Sequence, residues 1–255
     1  MTILDTFKLD GRRALVTGSS MGIGFAIAKA LASAGAHVVL NARNADRLAE
    51  AQAALAALNL SVSAECFDVA QPDAVNDAVT RIESTGPLDV LVNNAGIQIR
   101  GPLDQFAEDD WRRLMATNLD SVFYVSKAVA RGMISRRSGS IINICSVMSE
   151  VSRPTVAPYT ASKGAVKMLT KAMANDWGPS GIRVNGIGPG FFKTELNERL
   201  VKDAQFSAWI EGRTPSRRWG ELDDLGPAAV FLASDASRFV NGHVLYVDGG
   251  LTAAL

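Results

Sequence analysis

Hydrophobic residues along the chain are gathered into seven short runs, separated by segments in which apolar positions recur at helical spacing. The runs are continuous rather than alternating in polarity, which is typical of strands that are buried on both faces. We therefore predict strands over the following ranges: Arg13–Gly18, His37–Asn41, Ser61–Val69, Leu88–Gly96, Ser140–Ser146, Ile182–Gly190 and His243–Gly250.

The segments between these runs predict α-helices. Alternation of strand and helix predicts an α/β protein: a Rossmann-like, doubly wound sheet of about seven parallel strands with helices on both faces. Neither a linker nor a repeat interrupts the pattern, so we expect a single domain over residues 1–255. The predicted helices cover Gly22–Ala34, Asn44–Leu58, Pro72–Ser84, Asp109–Arg136, Tyr159–Trp177 and Glu221–Ser234.

Composition narrows the possible function classes. The chain has 26 basic and 26 acidic residues and no formal net charge, which argues against binding to nucleic acid. Two histidines are too few and too isolated for a histidine metal site, and we expect Cys66 and Cys145 to be buried, reduced thiols. No apolar run approaches about 20 residues, and the N-terminus lacks the pattern of a signal peptide. We expect a cytoplasmic protein with no membrane span.

The first predicted strand ends in TGSSMGIG, a glycine-rich loop that opens a helix. In doubly wound sheets, ligands bind beyond the carboxyl ends of the strands. Gly18, Gly22 and Gly24 permit a tight turn and a close approach to phosphate, and the helix N-terminus offers free N–H groups. Ser19 and Ser20 can add hydroxyl donors. The loop predicts a dinucleotide site; a ligand-free turn is the structural alternative.

The second predicted strand ends in NARNADR, and this segment bears on the choice of cofactor. Folds that prefer NAD usually place an acid here to bind the ribose 2′-hydroxyl. Here Arg43 follows Asn41 and Ala42 instead, and a guanidinium can pair with a 2′-phosphate. We therefore predict NADP(H) in preference to NAD(H). The alternative is that Arg43 begins a solvated helix face with Arg47.

The segment SVMSEVSRPTVAPYTASK carries candidate catalytic chemistry. Tyr159 and Lys163 are four residues apart in a predicted helix, so both side chains lie on one face. A free tyrosine ionises near pH ~10, and a nearby positive charge lowers the pKa of its phenol. Ser146 stands at the exit of the fifth strand. A surface helix that happens to contain Tyr and Lys is the alternative interpretation.

Taken together, these motifs resemble the short-chain dehydrogenase/reductase family. The resemblance spans nearly the whole chain, and the order and spacing of the motifs carry it. They are TGSSMGIG (17–24), Asp68–Val69, NNAG (93–96), Asn118 in MATNL, Ser146, Tyr159 with Lys163, and Pro189–Gly190 followed by Thr194.

The resemblance implies the catalytic roles. Tyr159 would act as general acid in reduction and general base in oxidation, and Lys163 would lower its pKa and contact the nicotinamide ribose. Ser146 would hydrogen-bond the substrate oxygen, and Asn118 would support a water in the proton relay. A helix cap or kink at Asn118 is compatible with that role. The presence of Ser146, Tyr159 and Lys163 argues against a catalytically inactive sensor.

The resemblance also implies cofactor contacts and a homotetramer. Asp68 and Val69 would lie beside the adenine, Asn93 beside the adenosine ribose, and Ile187, Pro189 and Thr194 around the nicotinamide. The helices near Asp109–Arg136 and Tyr159–Trp177 would build the tetramer with the C-terminal strand. The complete set of expected cofactor-binding residues is Gly18, Ser19, Ser20, Gly22, Ile23, Gly24, Arg43, Asp68, Val69, Asn93, Ala95, Gly96, Tyr159, Lys163, Pro189, Gly190 and Thr194.

A narrower resemblance is to the gluconate 5-dehydrogenases within this family, through NNAGIQIRGPL and INICSVMSE. It implies that the substrate pair is D-gluconate and 5-keto-D-gluconate, or a related sugar acid or polyol, held by Arg100 and Glu150 together with Ser146 and Tyr159. Two departures weaken the match. This group often has two basic residues where this chain has Ile99–Arg100, and often an arginine where it has Met21. Solvated roles for Arg100 and Glu150 stay open.

Two further expectations concern the region around the substrate. The segment 190–220 is longer than a crossover needs and has helical apolar spacing, so we predict two short helices that form a substrate lid. An ordinary surface helix pair is the alternative. Met148, Val151 and Val156 favour a different substrate class, which leaves a general ketone reductase or 3-oxoacyl thioester reductase as the second functional hypothesis.

Overall fold

The structure is a computed structural model, and it describes residues 2–254. Residues 1 and 255, the ends of the expected domain, lie outside the described residues. Within 2–254 the predicted seven-stranded parallel sheet is confirmed. Its strands are β1 Arg13–Val16, β2 His37–Ala42, β3 Val62–Cys66, β4 Val90–Asn93, β5 Gly139–Ile144, β6 Ile182–Pro189 and β7 Val244–Val247.

The strand order is β3-β2-β1-β4-β5-β6-β7, and neighbouring strands pair in parallel. From β1 the chain proceeds outward to β3, returns across the sheet to β4, and then proceeds toward the other edge. The direction of winding therefore changes between β1 and β4. Loops leaving the carboxyl ends of these two strands diverge there and open a crevice.

Successive residues of a strand point to opposite faces of the sheet, so both faces of this sheet are apolar. Helices pack on each face. Ala14 and Val16 of β1 pack in one buried cluster, and Leu15 between them packs in the other. The helices are α1 Gly22–Ser33, α2 Ala45–Ala56, α3 Pro72–Ser84, α4 Glu108–Met115, α5 Ser121–Arg136, α6 Ala157–Trp177, α7 Glu198–Lys202, α8 Ala204–Arg213 and α9 Gly226–Ala233.

The helical region predicted over Asp109–Arg136 is interrupted. A π-helical turn, Ala116–Asp120, separates α4 from α5. The amide of Asn118 explains the interruption: its Oδ1 accepts from the backbone N–H of Ile97 at 2.8 Å, and its Nδ2 donates to the carbonyl of the same residue at 2.9 Å. Tying the helix to the loop after β4 favours the wider turn, and such turns are frequent at functional sites.

The expectation of two buried thiols was wrong for Cys66. Cys145 is buried, whereas Cys66 is exposed. The reason is the position of β3 at the edge of the sheet, where its side chains are at most partly covered. The apolar run that predicted a strand over Ser61–Val69 also includes residues beyond the last paired position, so β3 is shorter than expected.

Candidate active site

A cleft of about 570 Å³ lies beyond the carboxyl ends of the strands. It extends from the glycine loop after β1 across the β1–β4 crevice to the N-terminal turns of α6 and the loop after β6. Most of the predicted site residues line it. They are Gly18, Ser20, Gly22, Ile23, Gly24, Arg43, Asp68, Val69, Ala95, Gly96, Ser146, Tyr159, Lys163, Pro189, Gly190 and Thr194.

Two glycines of the loop after β1 leave no room for a Cβ. Gly18 has φ +61°, and a Cβ there would lie 2.8 Å from Cα of Ala95. A Cβ at Gly24 would collide with the carbonyl of Gly18 and the amide of Asn94. The backbone thus stays bare at the start of α1, whose N-cap residue Met21 makes no side-chain cap. This cradle fits a pyrophosphate on free N–H groups.

Ser19 was expected to donate to the cofactor, and the structure contradicts this. Its side chain is fully buried and does not line the cleft. Its hydroxyl donates to the carbonyl of Val16 at 2.8 Å and accepts from the backbone N–H of Asn41 at 3.0 Å. Ser19 therefore joins the ends of β1 and β2, and Ser20 is the serine of the loop that faces the cleft.

Asn93 was expected to face the adenosine ribose, and its side chain instead lies in the interior. Its Nδ2 donates to Ser126 at 2.8 Å and to Oδ1 of Asn143 at 2.9 Å. Strand residues alternate, so Asn93 shares the α5-facing side of β4 with Leu91. Ile187, expected near the nicotinamide, is likewise fully buried in the core.

Two residues that organise the cleft were not singled out from the sequence. Asn94 donates from Nδ2 to the carbonyls of Thr17 and Gly18, both at 2.9 Å, and so holds the glycine loop against the exit of β4. Asn41 accepts the N–H of Gly18 at 3.3 Å and donates to the carbonyl of Phe67 at 3.1 Å. Both residues are asparagines near the carboxyl end of a strand, and this position is the sequence feature that could have identified them.

The far end of the cleft is charged. Arg43 at the exit of β2 and Asp68 beyond β3 both line the cleft, and their side chains form an ion pair at 3.6 Å. The Arg43 side chain is 64% exposed, so this pair is weak and its guanidinium is accessible to a ligand. Within residues 2–254 the exits of β1 and β2 thus combine a bare backbone cradle with an accessible cation.

At the other end, Ser146, Tyr159 and Lys163 line the same part of the cleft. Ser146 is extended at the exit of β5, and its Oγ accepts the N–H of Met148 at 3.1 Å, which leaves its O–H free to donate. Pro158 in the first turn of α6 suits the helix start. The Lys163 ammonium lies 5.8 Å from the centre of the Tyr159 ring, as expected for positions four apart.

Burial shifts the pKa of both titratable groups. The Lys163 side chain is 95% buried and donates to the carbonyl of Ile144 at 2.6 Å; burial lowers its pKa from 10.5 to about 8. Burial raises the pKa of Tyr159, and the hydroxyl of Ser146 opposes that shift as a hydrogen-bond partner. In the protein alone, burial therefore outweighs the expected lowering of the Tyr159 pKa.

The shifted pKa of Lys163 predicts how stability depends on pH. Between pH 8 and 10.5 the unfolded chain holds this proton and the folded chain releases it, so the free energy of unfolding rises with pH in that window. We expect a gain of up to about 3 kcal/mol relative to Lys163→Met, lost as pH falls through 8. Urea unfolding of both cofactor-free proteins at pH 7.5 and pH 10 measures it. An equal difference at the two pH values would contradict the prediction.

Asn118 does not line the cleft. It is fully buried, and besides its bonds to Ile97 it lies 3.3 Å from Oγ of Ser162 in α6, which itself donates to the carbonyl of Tyr159 at 2.8 Å. Asn118 thus connects the π-helical turn, the loop after β4 and the turn that carries Tyr159.

Of the four residues expected to hold substrate, Ser146 and Tyr159 line the cleft, whereas Arg100 and Glu150 lie outside its lining. The carboxylate of Glu150 pairs with Lys167 and accepts from the hydroxyl of Tyr246 at 2.8 Å; these hydrogen bonds lower its pKa. It is therefore engaged within the protein. Arg100 is exposed and donates to Oε1 of Gln98 at 3.1 Å, and Gln98 lines the cleft.

Neither a metal cluster nor a membrane helix is found in the part of the chain that is described. Residues 2–254 contain no group of three or more His, Cys, Asp or Glu placed to hold a metal ion. None of the helices in that range is long and apolar enough to cross a membrane.

Fold and site together define the class of protein. Residues 18–252 match a family model described as enoyl-(acyl carrier protein) reductase. The chain belongs to the short-chain dehydrogenase/reductase family.

The similar proteins share nearly the whole chain. A gluconate 5-dehydrogenase of Gluconobacter oxydans is 57% identical over 98% of both chains. A 5-keto-D-gluconate 5-reductase of Escherichia coli is 48% identical over 98% of this chain and 99% of the relative. A solved gluconate 5-dehydrogenase of Burkholderia cenocepacia, in complex with NADP and tartrate, has a TM-score of 0.97 and 55% identity over 100% of both chains.

Proposed function

We propose that this protein is an NADP(H)-dependent oxidoreductase that interconverts D-gluconate and 5-keto-D-gluconate. The observation that carries the proposal is one cleft with a phosphate cradle and Arg43 at one end, and Ser146, Tyr159 and Lys163 at the other. The choice of substrate rests on relatives that are named for these two activities and are 57% and 48% identical to this chain.

The cradle and the charged end support NADP(H) as the cofactor. The bare backbone around Gly18 would hold the pyrophosphate and Arg43 the 2′-phosphate, while Pro189, Gly190 and Thr194 line the end near Tyr159. When bound, the nicotinamide supplies or accepts the hydride. A related gluconate 5-dehydrogenase was crystallised with NADP.

The side chains of the protein transfer the proton to or from the substrate oxygen. In reduction, the Tyr159 hydroxyl donates this proton as the carbonyl becomes an alcohol; in oxidation, the phenolate accepts it. Ser146 donates a hydrogen bond to the same oxygen and stabilises its developing charge. Burial raises the pKa of Tyr159, so the phenol is held protonated and ready for reduction.

Lys163 stabilises the phenolate that reduction leaves behind. Its ammonium is held near the Tyr159 ring by the carbonyl of Ile144, and a positive charge at that place favours ionised tyrosine. Asn118 acts as a positioning residue, because it ties the turn that carries Tyr159 to the loop after β4. A water beside Asn118 would relay the proton between Tyr159 and solvent.

The second functional hypothesis, a ketone or 3-oxoacyl thioester reductase, also has an observation in its favour. Val147, Met148 and Val156 form an apolar cluster against which Tyr159 and Phe191 pack. An apolar wall beside the reactive tyrosine suits a neutral or acyl substrate. Glu150, which would have made this wall polar, is engaged by Lys167 and Tyr246.

A spectrophotometric assay decides between the two. We expect NADPH oxidation with 5-keto-D-gluconate and NADP⁺ reduction with D-gluconate, each with kcat/KM at least about tenfold above the value with NADH or NAD⁺. Simple ketones and acetoacetyl thioesters serve as comparison substrates. Turnover of those alone, with none of the sugar acids, would reject the proposed substrate and favour the reductase hypothesis.

We also propose a single catalytic domain with a lid over residues 190–220. Helices α7 and α8 lie in this segment, and Phe206 and Trp209 of α8 pack edge-on against Phe191, which contacts the Tyr159 cluster. This packing supports a roof above the substrate. A rise in amide hydrogen exchange over α8 on removal of cofactor and substrate would be expected of a lid; exchange that is unaffected by either would contradict it.

A homotetramer in the cytoplasm completes the proposal. Exposed Trp111 on α4, Phe123 and Ile134 on α5 and Met168 on α6 offer apolar contact surface for subunit assembly. The free thiols of Cys66 and Cys145 are typical of a reducing compartment. Sedimentation would separate a tetramer from a 27.1 kDa monomer, and cell fractionation tests the location.

A further inference from the structure

Arg153 lies in the loop that connects Ser146 to Tyr159. Its side chain is partly buried, and its guanidinium lies 5.7 Å from the centre of the Phe206 ring on α8. Phe206 in turn packs against Phe191, whose contacts lead to the Tyr159 cluster. Arg153 is therefore partly covered by the lid segment, in the loop between two catalytic residues, and like Arg100 it lies just outside the residues that line the cleft.

No carboxylate within residues 2–254 forms an ion pair with Arg153, and the same holds for Arg100. Arg218, at the far end of the lid segment, is paired with Asp224 at 2.6 Å. Partial burial of a guanidinium without a counterion is unfavourable, and an anion that enters the site would remove this cost.

Arg100 is the second cation of this region. The N–H of Gly101 donates to the carbonyl of Thr155 at 3.1 Å, which fixes the loop after β4 against the loop that carries Arg153. Burial and the neighbouring charge of Arg100 lower the pKa of Arg153. Two like charges are thus held near each other beside the cleft, and Arg100 is hydrogen-bonded to Gln98, which lines the cleft.

We infer that Arg153 and Arg100 together bind the carboxylate of the substrate, with Arg153 as the covered and dominant contact. The inference rests on the proposed function and specifies how a sugar acid is selected. In gluconate three carbons separate the carboxyl carbon from the reacting C5, so the anchor has to lie away from the Tyr159 hydroxyl. The Arg153 side chain lies against Phe206 of α8, and the neighbouring loop after β4 brings Arg100 to the same region.

The test compares Arg153→Gln with Arg153→Lys and with Arg81→Gln. The last variant removes an ion pair between Arg81 on α3 and Glu65 on β3, away from the cleft. D-gluconate oxidation gives KM and kcat, and tartrate titration of the NADP⁺-bound protein, followed by tryptophan fluorescence, gives a Kd independent of turnover. For Arg153→Gln we expect KM for gluconate and Kd for tartrate to rise roughly tenfold to a hundredfold, since hydrogen bonds between charged groups are worth that much.

In the same variant kcat should stay within a few-fold of the parent, and the Kd of NADP⁺ and the Tm should be unchanged. Arg153→Lys should recover part of the affinity, and Arg81→Gln should resemble the parent. Unchanged KM and tartrate Kd would overturn the inference, as would parallel losses of NADP⁺ affinity and Tm. If the parent does not oxidise gluconate, the proposed function fails; tartrate binding that depends on Arg153 would then still support the anion site.

Discussion

Replacing Tyr159 by phenylalanine is expected to lower kcat for 5-keto-D-gluconate reduction by on the order of 10³-fold, the typical contribution of a positioned general acid. The phenol lies beside Ser146 and Lys163 in the cleft, and phenylalanine keeps the ring while it removes the transferable proton. The Kd for NADPH, measured by fluorescence titration, should change no more than a few-fold, because the cradle around Gly18 is untouched.

Tyr246→Phe is the matched control. Tyr246 packs on the same apolar cluster as Tyr159, and its hydroxyl donates to Glu150 at 2.8 Å. Loss of that hydroxyl should leave kcat within several-fold of the parent. Substantial turnover by Tyr159→Phe, or an equal loss in Tyr246→Phe, would show that the proton comes from another group. Loss of NADPH binding together with turnover would show that the phenylalanine disturbs the site.

Arg43→Asp is expected to lower the preference for NADPH over NADH by on the order of 10²-fold, measured as the ratio of the two kcat/KM values. Charge-assisted hydrogen bonds between a guanidinium and a phosphate contribute about 1.5–3 kcal/mol, and each 1.36 kcal/mol corresponds to a factor of ten. The introduced acid also stands beside Asp68, so the site becomes repulsive to a 2′-phosphate. Turnover with NADH should fall much less.

Arg47→Asp makes the same change of charge four residues further along. The Arg47 guanidinium approaches the sulfur of Met21 at 3.9 Å and does not line the cleft. A small effect in this variant would assign the preference to the specific position of Arg43. An equal effect would instead indicate that the overall positive charge near the start of α2 selects NADPH. An unchanged ratio in Arg43→Asp would contradict the predicted role of this residue.

Sequence patterns located the strand exits well, because they depend on local properties. Continuous apolar runs mark buried parallel strands, and Pro72–Ser84 was predicted with the bounds that the structure shows. The prediction of helix over Asp109–Arg136 missed the π-helical turn, since the bonds of Asn118 to Ile97 that accompany it come from a residue 21 positions away. Cys66 was misjudged because edge and central strands have similar local composition.

Side-chain direction was the main source of error in the site. Ser19 and Ser20 are equivalent by sequence, yet one closes the gap between β1 and β2 and the other faces the cleft. Asn93 and Asn94 differ in the same way: the first faces α5, and the second holds the glycine loop. Adjacent residues at the end of a strand point to opposite sides, and only the neighbouring elements decide which side is the site.

The sequence by itself determined the doubly wound α/β class, the glycine cradle and the spacing of Tyr159 and Lys163, because each depends on residues near one another in the chain. The tertiary structure alone decided what those residues meet. It paired Glu150 with Lys167 and Tyr246, outside the residues that line the cleft. It also placed Arg153 under Phe206, because packing of the lid segment joins residues more than 50 positions apart.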